Sequence, residues 1–264
     1  MIWLRLAYIL PLLLLATLLL LPFQLIGLAF DLKIRRFLPR FWHRIACHLL
    51  KVRIHIHGQI EKKRPILLAV NHSSWLDILV LGAVADVVFV AKSEVRDWPV
   101  FGLLAKLQKT IFVEREQKRD AGNQVSEISS RMAAGEVVVL FPEGTTSDGN
   151  RVLEIKSSLF GAASTSAAQV PGEVVYVQPV AIAYTGVNGM AMGRYHRFIA
   201  AWPGSIELMP HLLGLIKANG IEVDVTFGEA ESFSKGDNRK QLASRMRDKI
   251  RQMLSFSLRG GWRN

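Results

Sequence analysis

The chain has a single cysteine, Cys47, among its 264 residues. One thiol closes no internal disulfide and builds no multi-cysteine metal site, which favours a reducing compartment. There is no Walker loop, no Gly-x-Gly-x-x-Gly turn and no His-Glu-x-x-His pair, so the common nucleotide and zinc signatures are missing. There is no Gly-x-Ser-x-Gly elbow to supply a serine nucleophile. His55 and His57 alternate on one stretch without a third ligand nearby, so no metal is expected. Internal repeats, low-complexity tracts and Pro/Gly/Ser-rich linkers are absent, which leaves one domain after the N-terminal segment. The most informative gap is in charge: from Leu6 to Phe30 no side chain is charged, and Thr17 and Gln24 are almost the only polar ones.

Twenty-five helical residues span about 37 Å, more than the roughly 30 Å of bilayer hydrocarbon. A cleaved signal peptide has a shorter apolar core and a small-residue cleavage site, so the stretch reads as a retained anchor. Pro11 and Pro22 can each kink a helix, which leaves two forms open: a single pass, or a helix that enters one leaflet and returns. Lys33, Arg35, Arg36, Arg40 and Arg44 follow the run, against Arg5 before it. That bias puts the remainder on the cytoplasmic side of the cell inner membrane. The stretch "IRRFLPRFWHRIACHLLKV" mixes basic and apolar residues at helical spacing; it either lies among lipid headgroups or packs on the domain. Residues 1–50 are thus read as a membrane anchor plus a basic interfacial helix, and 51–264 as one domain.

Half the residues are hydrophobic and the formal charge is +11. Such a balance attracts nucleic acid, an anionic bilayer or phosphorylated substrates. The positive charge concentrates beside the anchor and in the tail, and no nucleic-acid motif accompanies it. An anionic membrane surface is the expected partner, and nucleic acid is not.

From residue 52 short apolar strands alternate with helices. Strands are predicted at 52–57, 65–70, 87–91, 110–114, 136–143, 174–184 and 221–230. Helices are predicted at 74–85, 98–107, about 116–134, 156–169 and 238–254. The fold class this implies is α/β, a largely parallel covered sheet with flanking helices, preceded by a membrane helix or helix pair. In the tail helix Leu242, Met246, Ile250 and Leu254 recur every fourth residue. That stripe reads as packing against the domain, with a membrane-surface role as the alternative.

Two stretches carry candidate chemistry. In "VNHSSWLDIL" a buried strand ends at Asn71-His72, and ligands in α/β sheets bind just past strand ends. Residues five apart are rotated by about 140° on a regular helix. His72 and Asp77 therefore meet only if His72 lies in the turn and Asp77 in the first helical turn. Asp77 would then hold the Nδ1 proton and leave Nε2 to accept one from a hydroxyl, the base-and-orienter half of a triad without its nucleophile. The competing reading is structural: Ser74-x-x-Asp77 fits a helix capping box. In "VVVLFPEGTTSDG" a second buried strand runs into Glu143, Gly144, Thr145 and Thr146. Gly144 opens backbone conformations closed to other residues, and successive N–H groups with hydroxyls can cradle an anion. The competing reading is an ordinary strand-to-helix turn. Arg115, just beyond "TIFVE", either grips phosphate in bidentate fashion or is a solvated surface arginine.

With these residues in place, the sequence resembles the membrane-bound glycerolipid acyltransferases. Four blocks carry the likeness: Asn71-His72-Ser73-Ser74-Trp75-Leu76-Asp77, then Ile111-Phe112-Val113-Glu114-Arg115, then Phe141-Pro142-Glu143-Gly144-Thr145-Thr146-Ser147, then Val177-Gln178-Pro179-Val180. One departure is Lys109, where the second block usually begins with glycine. The stretch "GRYHRFIAAWPGSIELMPHLL" resembles the branch that includes lyso-ornithine lipid acyltransferases.

The resemblance implies that 51–264 is an acyltransferase catalytic domain. It implies acyl transfer from an acyl thioester, on acyl carrier protein or coenzyme A, to the hydroxyl of a lysolipid. The acceptor it puts first is 1-acyl-sn-glycerol-3-phosphate, with lyso-ornithine lipid as the alternative. No bound cofactor is implied; the thioester is a co-substrate. His72 and Asp77 would be catalytic, with Arg115, Glu143, Gly144, Thr145 and Thr146 holding the substrate. Glu143 would repel phosphate, so it is expected to position its loop or accept from a hydroxyl. A membrane-anchored anion-binding protein without catalysis and a thioester hydrolase are the other readings that the residues allow.

Overall fold

A computed structural model of the chain describes residues 2–113, 121–170, 173–204 and 206–262. In chain order its elements are α1 (Ile2–Ala29), α2 (Ile34–Leu49), β1 (Val52–His57), β2 (Ile66–Val70), α3 (Leu76–Val84), β3 (Val87–Lys92), α4 (Phe101–Leu107), β4 (Ile111–Val113), α5 (Ala121–Ala133), β5 (Val137–Leu140), α6 (Gly161–Gln169), β6 (Val174–Val187), β7 (Met190–Ala191), α7 (Leu208–Lys217), β8 (Ile221–Phe227), β9 (Glu231–Ser234) and α8 (Arg239–Leu258).

The main sheet runs β1-β8-β6-β2-β5-β3-β4. Pairings along β2, β5, β3 and β4 are parallel, as are β2–β6 and β1–β8. β2 shows why its sequence is a continuous apolar run. Ile66, Leu68 and Val70 enter one core with α3 and α7, while Leu67 and Ala69 enter another with α5, α6 and α8. A strand covered on both faces has no polar side to alternate with. The tail stripe packs as expected: Leu242, Met246, Ile250 and Leu254 are all buried in the second core.

The sheet departs from all-parallel at β6, which pairs antiparallel with β7, β8 and β9. Apolar patterning marks a buried strand but not its direction. β7, β9 and α7 are additions to the predicted elements. β9 is four mostly polar residues, and α7 is masked by Pro210, which its first turn tolerates. Pro179 lies mid-strand, where β6 exchanges β9 for β8 as its neighbour, so the missing N–H falls at a break in the ladder. The region around 116–120 of the predicted polar helix lies outside the described residues; α5 supplies the rest.

Neither Pro11 nor Pro22 ends α1, which is one helix, long and apolar enough to cross a membrane. Both ends of α1 touch the domain. Arg5 Nη1 donates to the Ala218 carbonyl, and Gln24 Nε2 donates to the carbonyls of Leu107 at 2.7 Å and Arg35 at 3.1 Å. Between, α1 exposes large side chains such as Leu14, Leu18 and Leu19. α2 packs on α3: Arg44 Nε donates to the Ala83 carbonyl at 3.0 Å, and Cys47 Sγ to that of Leu79 at 3.6 Å. The packing reading of α2 therefore holds for its inner face, while Phe37 and Phe41 stack on each other in solvent.

Lys109 has φ +56°, the left-handed region glycine favours, so the turn keeps its form although the usual glycine is missing. Of the paired histidines, His55 is exposed, and His57 is half-buried, stacked on Trp262 at 4.1 Å.

The α2–α3 crossing is close because residue 82 lacks a side chain. A Cβ there would lie 2.4 Å from Cδ2 of His43, a buried ring held at 3.1 Å by Gln108. Gly82→Ala is expected to cost about 1–3 kcal/mol, read as a lower denaturant midpoint. Adding His43→Ala should recover part of that loss.

Candidate active site

β2 and β5 lie side by side and run the same way, with Ala69 opposite Leu140. Their chains therefore leave the sheet together, Asn71-His72 beside Phe141-Pro142-Glu143. Asn71 is buried, and its amide takes over the ladder where β2 stops. Nδ2 donates to the Ile182 carbonyl at 3.0 Å, and Oδ1 accepts the Ile182 N–H at 2.8 Å.

His72 sits in the turn and Asp77 in the first turn of α3, the arrangement that lets them meet. Nδ1 of His72 lies 2.9 Å from Oδ2 of Asp77. A carboxylate oxygen only accepts, so the proton belongs on Nδ1 and the neutral ring keeps its lone pair on Nε2. The ring stacks on Phe141 at 4.1 Å and stays 20% exposed, while Asp77 is fully buried. Among the described residues Nε2 has no hydrogen-bond partner.

Of the expected Ser74–Asp77 capping box one half is present, the Ser74 N–H on Asp77, while the N-cap position of α3 is Trp75, which makes no side-chain cap. Asp77 Oδ2 also accepts the N–H groups of Ser73 at 2.8 Å and Ser74 at 2.9 Å. One carboxylate thus holds both the backbone of the turn that leads into α3 and the imidazole. Its other oxygen accepts from Tyr184 Oη at 2.6 Å. Burial first, and then the charge of Asp77, push the Tyr184 phenol well above its usual value, so it stays a donor. Tyr184 escaped the sequence reading; the available signal was a lone polar tip at the inner end of an apolar strand.

The third block fixes the turn from outside. Glu143 is buried, with Oε1 accepting the His72 N–H and Oε2 the Leu153 N–H, both at 2.7 Å. This is the loop-positioning role expected of it. Ser147 N–H donates to the His72 carbonyl at 2.8 Å, and Trp202 N–H to that of Ser73 at 2.6 Å. Gly144 has φ +72° and its N–H turns inward onto the Phe141 carbonyl at 3.1 Å. Thr145 is exposed and Thr146 half-buried, so these two form the outward edge of the turn beside His72. Arg115 lies outside the described residues. Gln178 of the fourth block is structural: its amide bridges Gln59, Glu61 and Gly228.

Among the described residues no group of three or more His, Cys, Asp or Glu could hold a metal ion. Cys47 is buried and donates weakly to Leu79, away from His72, and burial pushes its thiol up to about 12. The arrangement is an oriented histidine on a turn held by backbone hydrogen bonds, and among the described residues no serine, threonine or cysteine side chain hydrogen-bonds to its Nε2.

The site is thus an α/β sheet that presents, at its strand ends, a histidine held by a buried aspartate. The family model described as Acyltransferase matches residues 51–183, which include His72, Asp77 and the 143–146 turn, and the chain belongs to that family. It is 59% identical over 258 residues to a lyso-ornithine lipid O-acyltransferase of Rhizobium meliloti (strain 1021), covering 98% of this chain and 88% of the relative. It is 51% identical over 241 residues to a protein of the same name from Brucella abortus (strain 2308), covering 91% and 90%. The crystal structure of the 1-acyl-sn-glycerophosphate (LPA) acyltransferase, PlsC, from Thermotoga maritima shares the fold. Its TM-score is 0.58 at 21% identity over 92% of this chain and 94% of that one. The chain is therefore an acyltransferase, and the non-catalytic reading is set aside.

Tyr184→Phe removes one charge-assisted hydrogen bond to a buried carboxylate and should cost about 1.5–3 kcal/mol of stability, read by denaturant unfolding. Glu143 gives a pH signature. Burial chiefly, and Asp77's charge in addition, push its carboxyl from 4.5 up to about 7, against the pull of two N–H donors. Between those values the folded state holds more protons than the unfolded one. Its contribution is thus full below about 4.5 and declines as pH rises towards 7. Wild-type stability measured relative to Glu143→Gln should fall across that interval and level off above it.

Proposed function

We propose that the chain transfers a fatty acyl group from an acyl thioester to the hydroxyl of lyso-ornithine lipid. The observation that carries the chemistry is the 2.9 Å contact of His72 Nδ1 with buried Asp77, which leaves Nε2 open beside an exposed turn edge. Nε2 takes the proton of the acceptor hydroxyl as its oxygen attacks the thioester carbonyl carbon. The tetrahedral intermediate collapses, the carbon–sulfur bond breaks, and the thiolate leaves with the proton returned from the imidazolium. No acyl-enzyme is needed, because the lipid hydroxyl is the nucleophile. Tyr184 and Glu143 are positioning residues in this scheme. Thr145, Thr146 and Arg115 are assigned to an anionic part of a substrate, and Gly144 to the turn that presents the two threonines.

The two relatives above half identity support the acceptor. Lyso-ornithine lipid has a zwitterionic headgroup without phosphate, which leaves Arg115 for the donor's phosphate or for structure. Lysophosphatidic acid, put first on the sequence alone, is favoured by the basic surface and stays as the second reading. The donor is acyl carrier protein or coenzyme A, both anionic.

Residues 1–50 serve as the membrane anchor and 51–264 as the catalytic domain, on the cytoplasmic side of the inner membrane. Contacts of α1 with the domain near both of its ends, about 28 Å apart along the helix, favour an anchor lying along one leaflet over a free-standing span.

Membranes containing the protein should form diacylated product from labelled acyl carrier protein and lyso-ornithine lipid, and His72→Ala should lower turnover by about 10²–10⁴-fold. Product from lysophosphatidic acid instead would move the acceptor. Undiminished activity in the variant would remove His72 from the mechanism.

A further inference from the structure

A second cavity lies at the end of the sheet opposite His72. It is bounded by the starts of β3 and β5, by Arg64 just before β2, and by α2; its volume is about 320 Å³. β2 alone separates it from the His72 turn by roughly 16 Å. Six cationic side chains line it: Arg35, Arg36, Arg40, Arg64, Lys109 and Arg131.

Three carboxylates answer them. Glu136 takes Arg36 at 3.1 Å, Arg35 at 3.4 Å and the Nε of Arg131. Asp31 takes Arg35 at 2.7 Å and Lys109 at 3.4 Å, and Asp86 lies 3.7 Å from Arg40. Arg64 donates only to backbone carbonyls, those of Glu61 and Lys63. Two buried guanidinium N–H groups, Arg40 Nε and Arg131 Nη2, have no acceptor among the described residues. A buried charged donor without an acceptor is costly, and the cavity's six cations outnumber the three carboxylates that pair with them, so its lining keeps an excess of positive charge for an anion.

The neighbouring surface says where such an anion comes from. On α2, Phe37 and Phe41 each follow a cavity arginine by one residue and are exposed, as are Phe30, Leu32 and Ile34 at the α1–α2 turn. Apolar surface bordering a basic cavity suits acyl chains attached to a phosphate.

We propose that this cavity is a binding site for the phosphate of an anionic phospholipid, separate from the acyl-transfer site. The lipid's chains lie along Phe37 and Phe41, and its phosphate sits among Arg36, Arg40, Arg64 and Arg131. The site fastens α2 to the membrane surface from beneath.

The test uses the full chain in neutral detergent, titrated with short-chain phosphatidylglycerol. It is repeated by flotation with vesicles of phosphatidylcholine alone and with phosphatidylglycerol added. Arg36→Gln/Arg64→Gln should weaken phosphatidylglycerol binding about tenfold or more. Arg247→Gln/Arg251→Gln on α8 removes the same charge and should change it by no more than about twofold. Lys109→Gln provides a second reading at the cavity should the arginine pair fail to fold, and should weaken binding in the same direction. Equal losses in the cavity and tail variants would overturn the site in favour of a diffuse basic field. Inorganic phosphate binding as tightly as the lipid would overturn the lipid as occupant. Loss of acyl-carrier-protein binding with vesicle binding intact would reassign the cavity to a protein partner.

Discussion

The buried carboxylate of Asp77 is the constraint around which the site is built. It has no exposure to solvent and accepts four hydrogen bonds, from His72 Nδ1, two backbone N–H groups and Tyr184. A buried charge is tolerable only when its lone pairs are met. Three of the donors lie in the turn between β2 and α3, and the fourth on strand β6. Satisfying Asp77 therefore requires that β2, α3 and β6 be assembled correctly, and once they are, the imidazole has one orientation. The histidine's geometry is a consequence of folding rather than an adjustment made on substrate binding.

Much of this was legible in the sequence. The spacing of His72 and Asp77 required a turn followed by a helical first turn, and the chain supplies both. The apolar runs at 66–70 and 137–140 marked strands buried on two faces, and their shared direction brought the two polar blocks together. What stayed hidden is long-range. Tyr184 is 107 residues from Asp77, and nothing local in "VVYVQPVAIAY" says which carboxylate its hydroxyl will find. Leu153 and Trp202 contribute only backbone N–H groups, which every residue except proline has. The antiparallel turn of β6 was invisible because burial fixes a strand's composition and not its direction. The choice between a cap and a catalytic orienter was unresolvable because both need the same carboxylate in the same place.

The anchor is less separable from the catalytic domain than its composition suggests. Ile9 of α1 and Cys47 of α2 belong to the same core as Leu68 and Tyr184. α2 lies against α3 closely enough that a Cβ at residue 82 would press on the His43 ring. Because α3 carries Asp77, the basic helix that follows α1 and the helix that holds His72 share one packed interface. The site is thus held at a fixed attitude to whatever surface the anchor occupies, which suits a reaction whose acceptor resides in that surface.

A mechanism in which His72 acts as base and the lipid hydroxyl as nucleophile, as proposed, raises the question of water. His72 is partly exposed, and an imidazole that can deprotonate a lipid hydroxyl can deprotonate water as readily, giving thioester hydrolysis. Nothing in the base itself discriminates. Discrimination must come from placement: an acceptor held beside Nε2 reacts with an effective molarity that can reach about 10⁵–10⁸ M, far above that of bulk water. The rigidity of the turn then acquires a purpose. Glu143 and Ser147 hold the backbone of His72 from both its N–H and its carbonyl, and Trp202 holds Ser73. A base free to swing by even an ångström would forfeit the advantage of a positioned acceptor while losing none of its reactivity towards water. In the proposed reaction, then, the hydrogen bonds that fix the His72 backbone would bear on which hydroxyl receives the acyl group.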